Sequence, residues 1–260
     1  MSYTDLVVTR AEPAIAVVTL NRPEKRNALR AETFAEIFAA VSELVADPDV
    51  RAIILTGAGD KAFSAGADLS SPPTSVPDVD GMLNRVQSML TWMEESGTPI
   101  IAAVNGDAFG GGCEVALACH FRIISRNARL GLTETNLGLL PAAGGTQRLT
   151  RLLGVSRALE AIVFGKRFDA EEAYQLGLAH RLCESGRALE EALVFARAIA
   201  RRAPIGVRGS IQAIYAGVNK GLEAGHKAER DGFAKCAASG DAMEGISAFF
   251  QKREPDFKGS

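Results

Sequence analysis

The chain has 260 residues, 47% of them hydrophobic and 23% charged, with 29 basic residues against 31 acidic ones for a net charge of −2. At ~150 residues per domain this length allows one or two domains and a full apolar core without disulfide or metal staples. The balanced charge gives no broad electrostatic ground for a nucleic-acid or anionic-membrane surface, and no apolar run reaches the ~18 residues of a membrane span.

The start, Met1-Ser-Tyr-Thr-Asp5, has neither the basic and apolar regions of a signal peptide nor the Arg-rich character of a transit peptide. The expectation is a soluble, cytoplasmic protein. Cys113, Cys119, Cys183 and Cys236 match neither a disulfide scaffold nor a zinc spacing, which predicts reduced core thiols and no metal. Glycine is abundant, at 26 residues, so close backbone approaches are expected.

In chain order, residues 5–9 and 14–20 are β-rich runs joined by a short turn at Glu12-Pro13. Phe34, Ile37, Phe38, Val41, Leu44 and Val45 recur at helical spacing. Residues 52–56 and 99–104 read as buried strands. Between them Met82, Val86, Met89, Leu90 and Met93 define a helix whose Met stripe belongs to the core. Residues 70–80 hold three prolines and read as a loop. The strand–helix–strand rhythm predicts right-handed crossovers within one growing sheet. After residue 145 strands nearly vanish, and helical patterns cover roughly 145–165, 170–177 and 187–203, with more helix through 250.

Gly57-Ala-Gly59-Asp-Lys-Ala62 follows a strand and fits a dinucleotide fingerprint, with Asp78 and Asp80 further on. That fingerprint needs a helix to open at its third position. Phe63-Ser-Ala-Gly-Ala-Asp-Leu-Ser-Ser-Pro-Pro73 does not support one, so the motif is rejected.

Three other segments carry chemistry: Lys61–Asp68, Asn105–Glu114 and Gly131–Arg148. Each follows or ends a β-type run, and each mixes small residues with an isolated acid. Small residues expose backbone N–H groups to a ligand. Gly110-Gly-Gly112 opens a short helix whose first N–H groups lack internal partners and carry the positive dipole end, a suitable cradle for an oxyanion.

With these motifs the chain resembles the enoyl-CoA hydratase/isomerase (crotonase) family over nearly its whole length. The resemblance is carried by Asn21-Arg-Pro-Glu-Lys-Arg-Asn-Ala-Leu29, Ala65-Gly-Ala-Asp68, Gly110-Gly-Gly-Cys-Glu114, Pro141-Ala-Ala-Gly-Gly-Thr-Gln-Arg-Leu149 and the ending Ala248-Phe-Phe-Gln-Lys-Arg-Glu-Pro-Asp-Phe257. It implies an α/β crotonase (ClpP-like) fold of repeated ββα units. A core domain would span residues 1–200, and a C-terminal helical trimerisation region residues 201–260, giving a homotrimer or a homohexamer built as a dimer of trimers. It implies an acyl-CoA thioester substrate and no cofactor, while the balanced charge and the lack of a long apolar run predict no nucleic-acid or membrane partner.

The resemblance further implies that the N–H groups of Ala65 and Gly111 bind the thioester oxygen. Glu114 would accept a proton from the water that attacks C3, and Glu134 would donate one to C2. Lys25, Arg26, Ala28, Ala65, Gly66, Ala67, Asp68, Leu69, Gly110, Gly111, Pro141, Ala142, Phe249 and Lys252 would contact the substrate, Lys252 from a neighbouring subunit. The expected reaction is reversible hydration of a 2-enoyl-CoA to a 3-hydroxyacyl-CoA. Δ3-Δ2-enoyl-CoA isomerisation or hydration of a branched substrate such as 3-methylglutaconyl-CoA are the alternatives. An RNA-binding role, as in some relatives, is disfavoured by the balanced charge. Three positions depart from the family pattern: Ala142 where Gly is frequent, His120 where Asp is frequent, and Asp107 where an apolar residue is frequent. His120 beside a strand reads as structural. Asp107 reads either as a pantetheine contact or as a turn residue.

Overall fold

The computed structural model describes residues 3–70 and 76–260. The chain opens with an antiparallel hairpin, β1 (Leu6–Glu12) and β2 (Ile15–Leu20), a 3-10 turn at Pro23–Lys25 and helix α1 (Ala31–Ala46). A repeated unit follows: a long strand, a short strand, then helix. Its copies are β3 (Ala52–Gly57), β4 (Ala62–Ser64) and α2 (Val76–Glu95), then β5 (Ile100–Val104), β6 (Asp107–Phe109) and α3 (Gly111–Ala118). In the third, β7 (Phe121–Ser125) and β8 (Arg129–Gly131) lead through a 3-10 turn at Glu134–Leu137 to α4 (Gly145–Leu153) and α5 (Val155–Val163). Then come β9 (Phe168–Asp169), α6 (Ala170–Gln175), β10 (Arg181–Cys183) and α7 (Ala188–Ala200). The C-terminal helices are α8 (Pro204–Lys220), α9 (Leu222–Ala237) and α10 (Gly240–Gln251).

The strands form two sheets, where the sequence rhythm predicts one. The long strands make a six-stranded sheet in the order β1-β2-β3-β5-β7-β10, parallel from β2 onward. The short strands make a second sheet, β4-β6-β8-β9. Glycines at the crossings explain the split. A Cβ on Gly57 would lie 2.5 Å from the carbonyl oxygens of Ala62 and Phe63, and one on Gly106 would lie 2.5 Å from the Lys61 carbonyl carbon. Only bare backbone lets the chain turn from the first sheet into the second at these points.

Both faces of the main sheet are covered, as its buried parallel strands require. Alternation along β3 sends Ile53 and Leu55 toward the core shared with Phe63, Leu90 and Met93. Ala52 and Ile54 face Ala188, Ala192 and Ala196 of α7, whose small side chains let that helix lie close. The Met stripe of α2 is core at Met89 and Met93, and Met82 is half-buried.

Two further expectations are corrected. The segment expected as a loop over 70–80 is helical from Val76; residues 71–75 lie outside the described residues. Pro77 falls in the first turn of α2, where an N–H has no intrahelical acceptor and proline is tolerated. The helical pattern over 145–165 breaks at Gly154 (φ +75°), which ends α4 and starts α5. The rejected dinucleotide motif leads into β4, not into a helix. No helix among the described residues is long and apolar enough to cross a membrane.

Candidate active site

Each ββα unit delivers one wall of the site. In the first, Gly66 (φ +98°) follows β4, and a Cβ there would lie 2.8 Å from the Phe109 carbonyl, so only glycine allows this segment to lie against the end of β6. The neighbouring backbone is fixed by the Asn21–Leu29 segment. Leu29 N–H donates to the Gly66 carbonyl (2.8 Å), and Asp68 N–H donates to the Leu29 carbonyl (2.8 Å). Because residues 66 and 68 make these bonds, the N–H of Ala67 between them points the other way and has no acceptor among the described residues. Arg22 clamps the same segment, donating to the Asp68 carboxylate (2.9 Å) and the Ala28 carbonyl (2.7 Å). Hydrogen bonds from Ser70 and Arg22 hold the Asp68 carboxyl down at about 2.

This geometry corrects the Ala65 expectation. The Ala65 N–H donates to the Arg26 carbonyl at 3.0 Å and is not free to receive an oxyanion. The free donor is Ala67, and it lies beside Gly111, the first residue of α3. A Cβ placed on Gly111 would be 3.6 Å from the Ala67 nitrogen. The Gly111 N–H also has no acceptor among the described residues, as expected at a helix start. Two unpaired N–H groups therefore stand side by side at the positive end of α3.

Glu114 sits in the first turn of α3, buried at 3% exposure. Its Oε1 accepts hydrogen bonds from the N–H groups of Ala143 (2.7 Å) and Gly145 (2.8 Å), in the turn before α4. A Cβ on Gly145 would fall 2.8 Å from that oxygen, so glycine is required there. Burial raises the Glu114 pKa; the two N–H groups and the Arg148 guanidinium oppose the shift.

Glu134 opens the 3-10 turn after β8 and hangs over Gly110. That glycine takes a φ of +51°, and a Cβ on it would stand 3.2 Å from Glu134 Oε1. Glu134 Oε2 is buried with no partner among the described residues. Burial first, and then the Glu114 charge, push the Glu134 pKa up to about 7, while backbone N–H groups of Thr133 and Glu134 itself give partial relief. The two carboxyls thus differ: Glu114 is anchored by directed donors, and Glu134 holds a proton near neutrality with a free oxygen.

That difference carries a stability consequence. The folded-state pKa of Glu134 lies above its ordinary 4.5, so the native state binds the proton more tightly than the unfolded chain does. Glu134 therefore costs stability as pH rises from about 4.5 to 7. Glu134→Gln is expected to raise stability by about 1–2 kcal/mol above pH 7, allowing for partial exposure, and to change little near pH 4. Thermal melts of both proteins across pH 4–8 check this, and a variant with no pH-dependent gain contradicts it.

Of the other expected contacts, Pro141 is buried, Ala142 is half-buried with its carbonyl accepting from Gln87 (2.7 Å), and Leu69 is 56% exposed. Ala28 is half-buried. Lys25 and Arg26 are exposed and have no acidic partner among the described residues. Phe249 (78% exposed) and Lys252 stand on α10 and at its end, which packs against α9, outside the cluster formed by the three units.

Asp107 pairs with Arg129 (2.7 Å), whose side chain is half exposed. His120 is a core cross-link: Nδ1 accepts from the Ile100 N–H (2.9 Å), so Nε2 donates to the Glu94 carbonyl (3.0 Å), and burial lowers its pKa to about 4. Cys113, Cys119 and Cys183 are buried free thiols whose pKa values burial raises; Cys236 is half-buried. Sequence reasoning missed the anchoring roles of Ala143 and Gly145, although both lie in the motif it singled out. It missed Glu94, whose spacing from Leu90 places it on the apolar face of α2 without naming a partner.

The enoyl-CoA hydratase/isomerase family model matches residues 10–260. The chain belongs to the enoyl-CoA hydratase/isomerase family. It is 39% identical over 253 residues to a short-chain-enoyl-CoA hydratase of Clostridium acetobutylicum, covering 95% of each chain. It is 37% identical to a crotonyl-CoA hydratase of Syntrophomonas wolfei, covering 99% of each. Among solved structures, an enoyl-CoA hydratase from Bacillus anthracis superposes with a TM-score of 0.93 at 38% identity, over 99% of this chain and 100% of that one. The two-sheet core and the C-terminal helices are thus the crotonase fold of the enoyl-CoA hydratase/isomerase family.

Proposed function

We propose that this family member is a hydro-lyase that adds water reversibly to a 2-enoyl-CoA, giving a 3-hydroxyacyl-CoA. The observation that carries this reading is the pairing of two unlike glutamates beside two free N–H groups. Glu114 is oriented by Ala143 and Gly145, and Glu134 holds a proton near neutrality.

The thioester oxygen accepts hydrogen bonds from Ala67 and Gly111. As water attacks C3, negative charge builds on that oxygen, and donors already in place stabilise it without reorganisation. Glu114, ionised, takes a proton from the attacking water. Glu134, protonated, delivers its proton to C2. The cycle closes when a proton passes from Glu114 back to Glu134. Exposed Leu69, Leu137, Leu139 and Leu140 flank these segments and supply apolar surface for the acyl chain and pantetheine arm. Lys25 and Arg26 supply local positive charge for the coenzyme A phosphates, and coenzyme A enters only as part of the substrate. Exposed Phe233, Met243, Phe249 and Phe250 on α9 and α10 support assembly into a trimer or a dimer of trimers.

Crotonyl-CoA mixed with the pure protein in ¹⁸O-water tests this. Loss of the conjugated-thioester absorbance with ¹⁸O in the product is the expected result. Movement of a double bond without ¹⁸O uptake would mark an isomerase instead. Sedimentation of the same sample at three or six chain masses is the matching expectation for assembly.

A further inference from the structure

We infer that the buried Glu94–Arg148 pair is a positioning device for Glu114: it holds the 143–145 turn so that two N–H groups aim at Oε1, and it supplies the positive charge that faces that carboxylate. The inference rests on the role proposed for Glu114.

Glu94 lies near the end of α2 and Arg148 in the first turn of α4. Their side chains are only 5% and 7% exposed, and they meet at 2.8 Å. The other guanidinium arm, Nη1, donates to the Ala143 carbonyl at 2.9 Å. Arg148 Nε is buried without an acceptor among the described residues, so these two contacts fix the side chain. On its far side the same Ala143 donates its N–H to Glu114. Gly144, between the two donors to Glu114, takes a φ of +97°, and a Cβ on it would lie 2.1 Å from Arg148 Nη1. The turn is therefore shaped around the guanidinium. Glu94 is itself fixed, because its backbone carbonyl accepts from His120, which is tied to Ile100 at the start of β5. A rigid chain of contacts runs from β5 through Glu94 and Arg148 to the turn that orients Glu114.

Stability does not account for this pair. A buried ion pair recovers little more than its desolvation cost, and apolar residues of similar volume often serve as well. Its position against the catalytic turn does account for it. The groups facing Glu114 are Arg148 from α4, Glu134 from the 3-10 turn and Cys113 beside it on α3. Those facing Arg148 are Glu94, Glu114, Cys119 and Tyr215 of α8, with buried Arg122 beyond the last two. Burial raises the pKa of both thiols and of the Tyr215 phenol, so the charges in play are the three carboxyls and the two guanidinium groups.

The decisive variant is Glu94→Gln/Arg148→Met, which keeps volume and leaves neither partner of the pair as a lone buried charge. Two readouts are taken: the pH dependence of kcat and KM for crotonyl-CoA, and the ¹³C titration of the Glu114 carboxyl in glutamate-labelled protein, assigned with Glu114→Gln. The expected result is an upward shift of the Glu114 titration by about 1 unit or more, with kcat down by ~10²-fold and KM near wild type. Arg148→Lys keeps the charge but loses the fork, so it is expected to hold the titration and lose kcat. A folded double variant with an unmoved Glu114 titration overturns the inference. If the double variant does not fold, Arg148→Lys with wild-type kcat overturns it. A wild-type protein that hydrates no enoyl-CoA would sink the functional reading alone, because the carboxyl titration still decides what the pair does to Glu114.

Discussion

Glu114→Gln is expected to lower kcat for crotonyl-CoA hydration by ~10²–10⁴, with KM little changed, and Glu134→Gln by a similar factor. The substitution at 114 is a clean test because the anchored oxygen survives. A glutamine carbonyl still accepts from Ala143 and Gly145, which approach to 2.7 and 2.8 Å in the native site. Only the second oxygen is lost, replaced by an NH2 group that cannot take a proton from water. Glu134 then loses the like charge that helps raise its pKa, and its titration should move down from about 7. It should stay above its ordinary value, because burial is the larger cause. Steady-state rates across pH, with circular dichroism to verify folding, check both substitutions. Either variant retaining activity within a factor of ten contradicts the two-carboxyl mechanism.

Gly111→Pro is expected to cost 10²–10³ in kcat, roughly 3–4 kcal/mol of transition-state stabilisation, while leaving the fold intact. Proline suits this position. Gly111 is the first residue of α3, where the N–H has no intrahelical partner and the proline φ matches the helix. A Cβ there meets nothing closer than 3.6 Å, at the Ala67 nitrogen, which is ordinary contact. What disappears is one of the two donors proposed for the thioester oxygen. The neighbouring glycine gives the contrasting control. A Cβ on Gly112 would lie 2.4 Å from the Ser64 carbonyl, so Gly112→Ala is expected to impair folding itself. Paired kinetics and melts separate the two effects. A Gly111→Pro enzyme with wild-type kcat would remove this N–H from the mechanism.

Much of this site was legible in the residues. The glycine run before α3, the acids at 114 and 134 and the small residues at 65–67 and 141–145 mark places where backbone has to be bare. The expected strands and helices appear where hydrophobic periodicity puts them, because each element's burial is set by its own apolar spacing. The break at Gly154 was harder to read, because apolar spacing on both sides of it is helical and only the positive φ of one glycine divides α4 from α5.

The amino-acid sequence by itself determined the alternation of strands with helices, the bare-backbone segments and the two acids proposed for the reaction. These follow from local spacing and residue type. Tertiary structure alone decided which N–H groups are free. Ala65 and Ala67 are chemically identical in the sequence, but pairing with residues 26 and 29 engages one and turns the other outward. It also decided that the short strands form their own sheet, that Glu134 sits over Gly110 and that Glu94 finds Arg148 across the core. A hydrogen bond or a shifted proton affinity depends on atoms brought together from distant parts of the chain. No local pattern encodes that proximity.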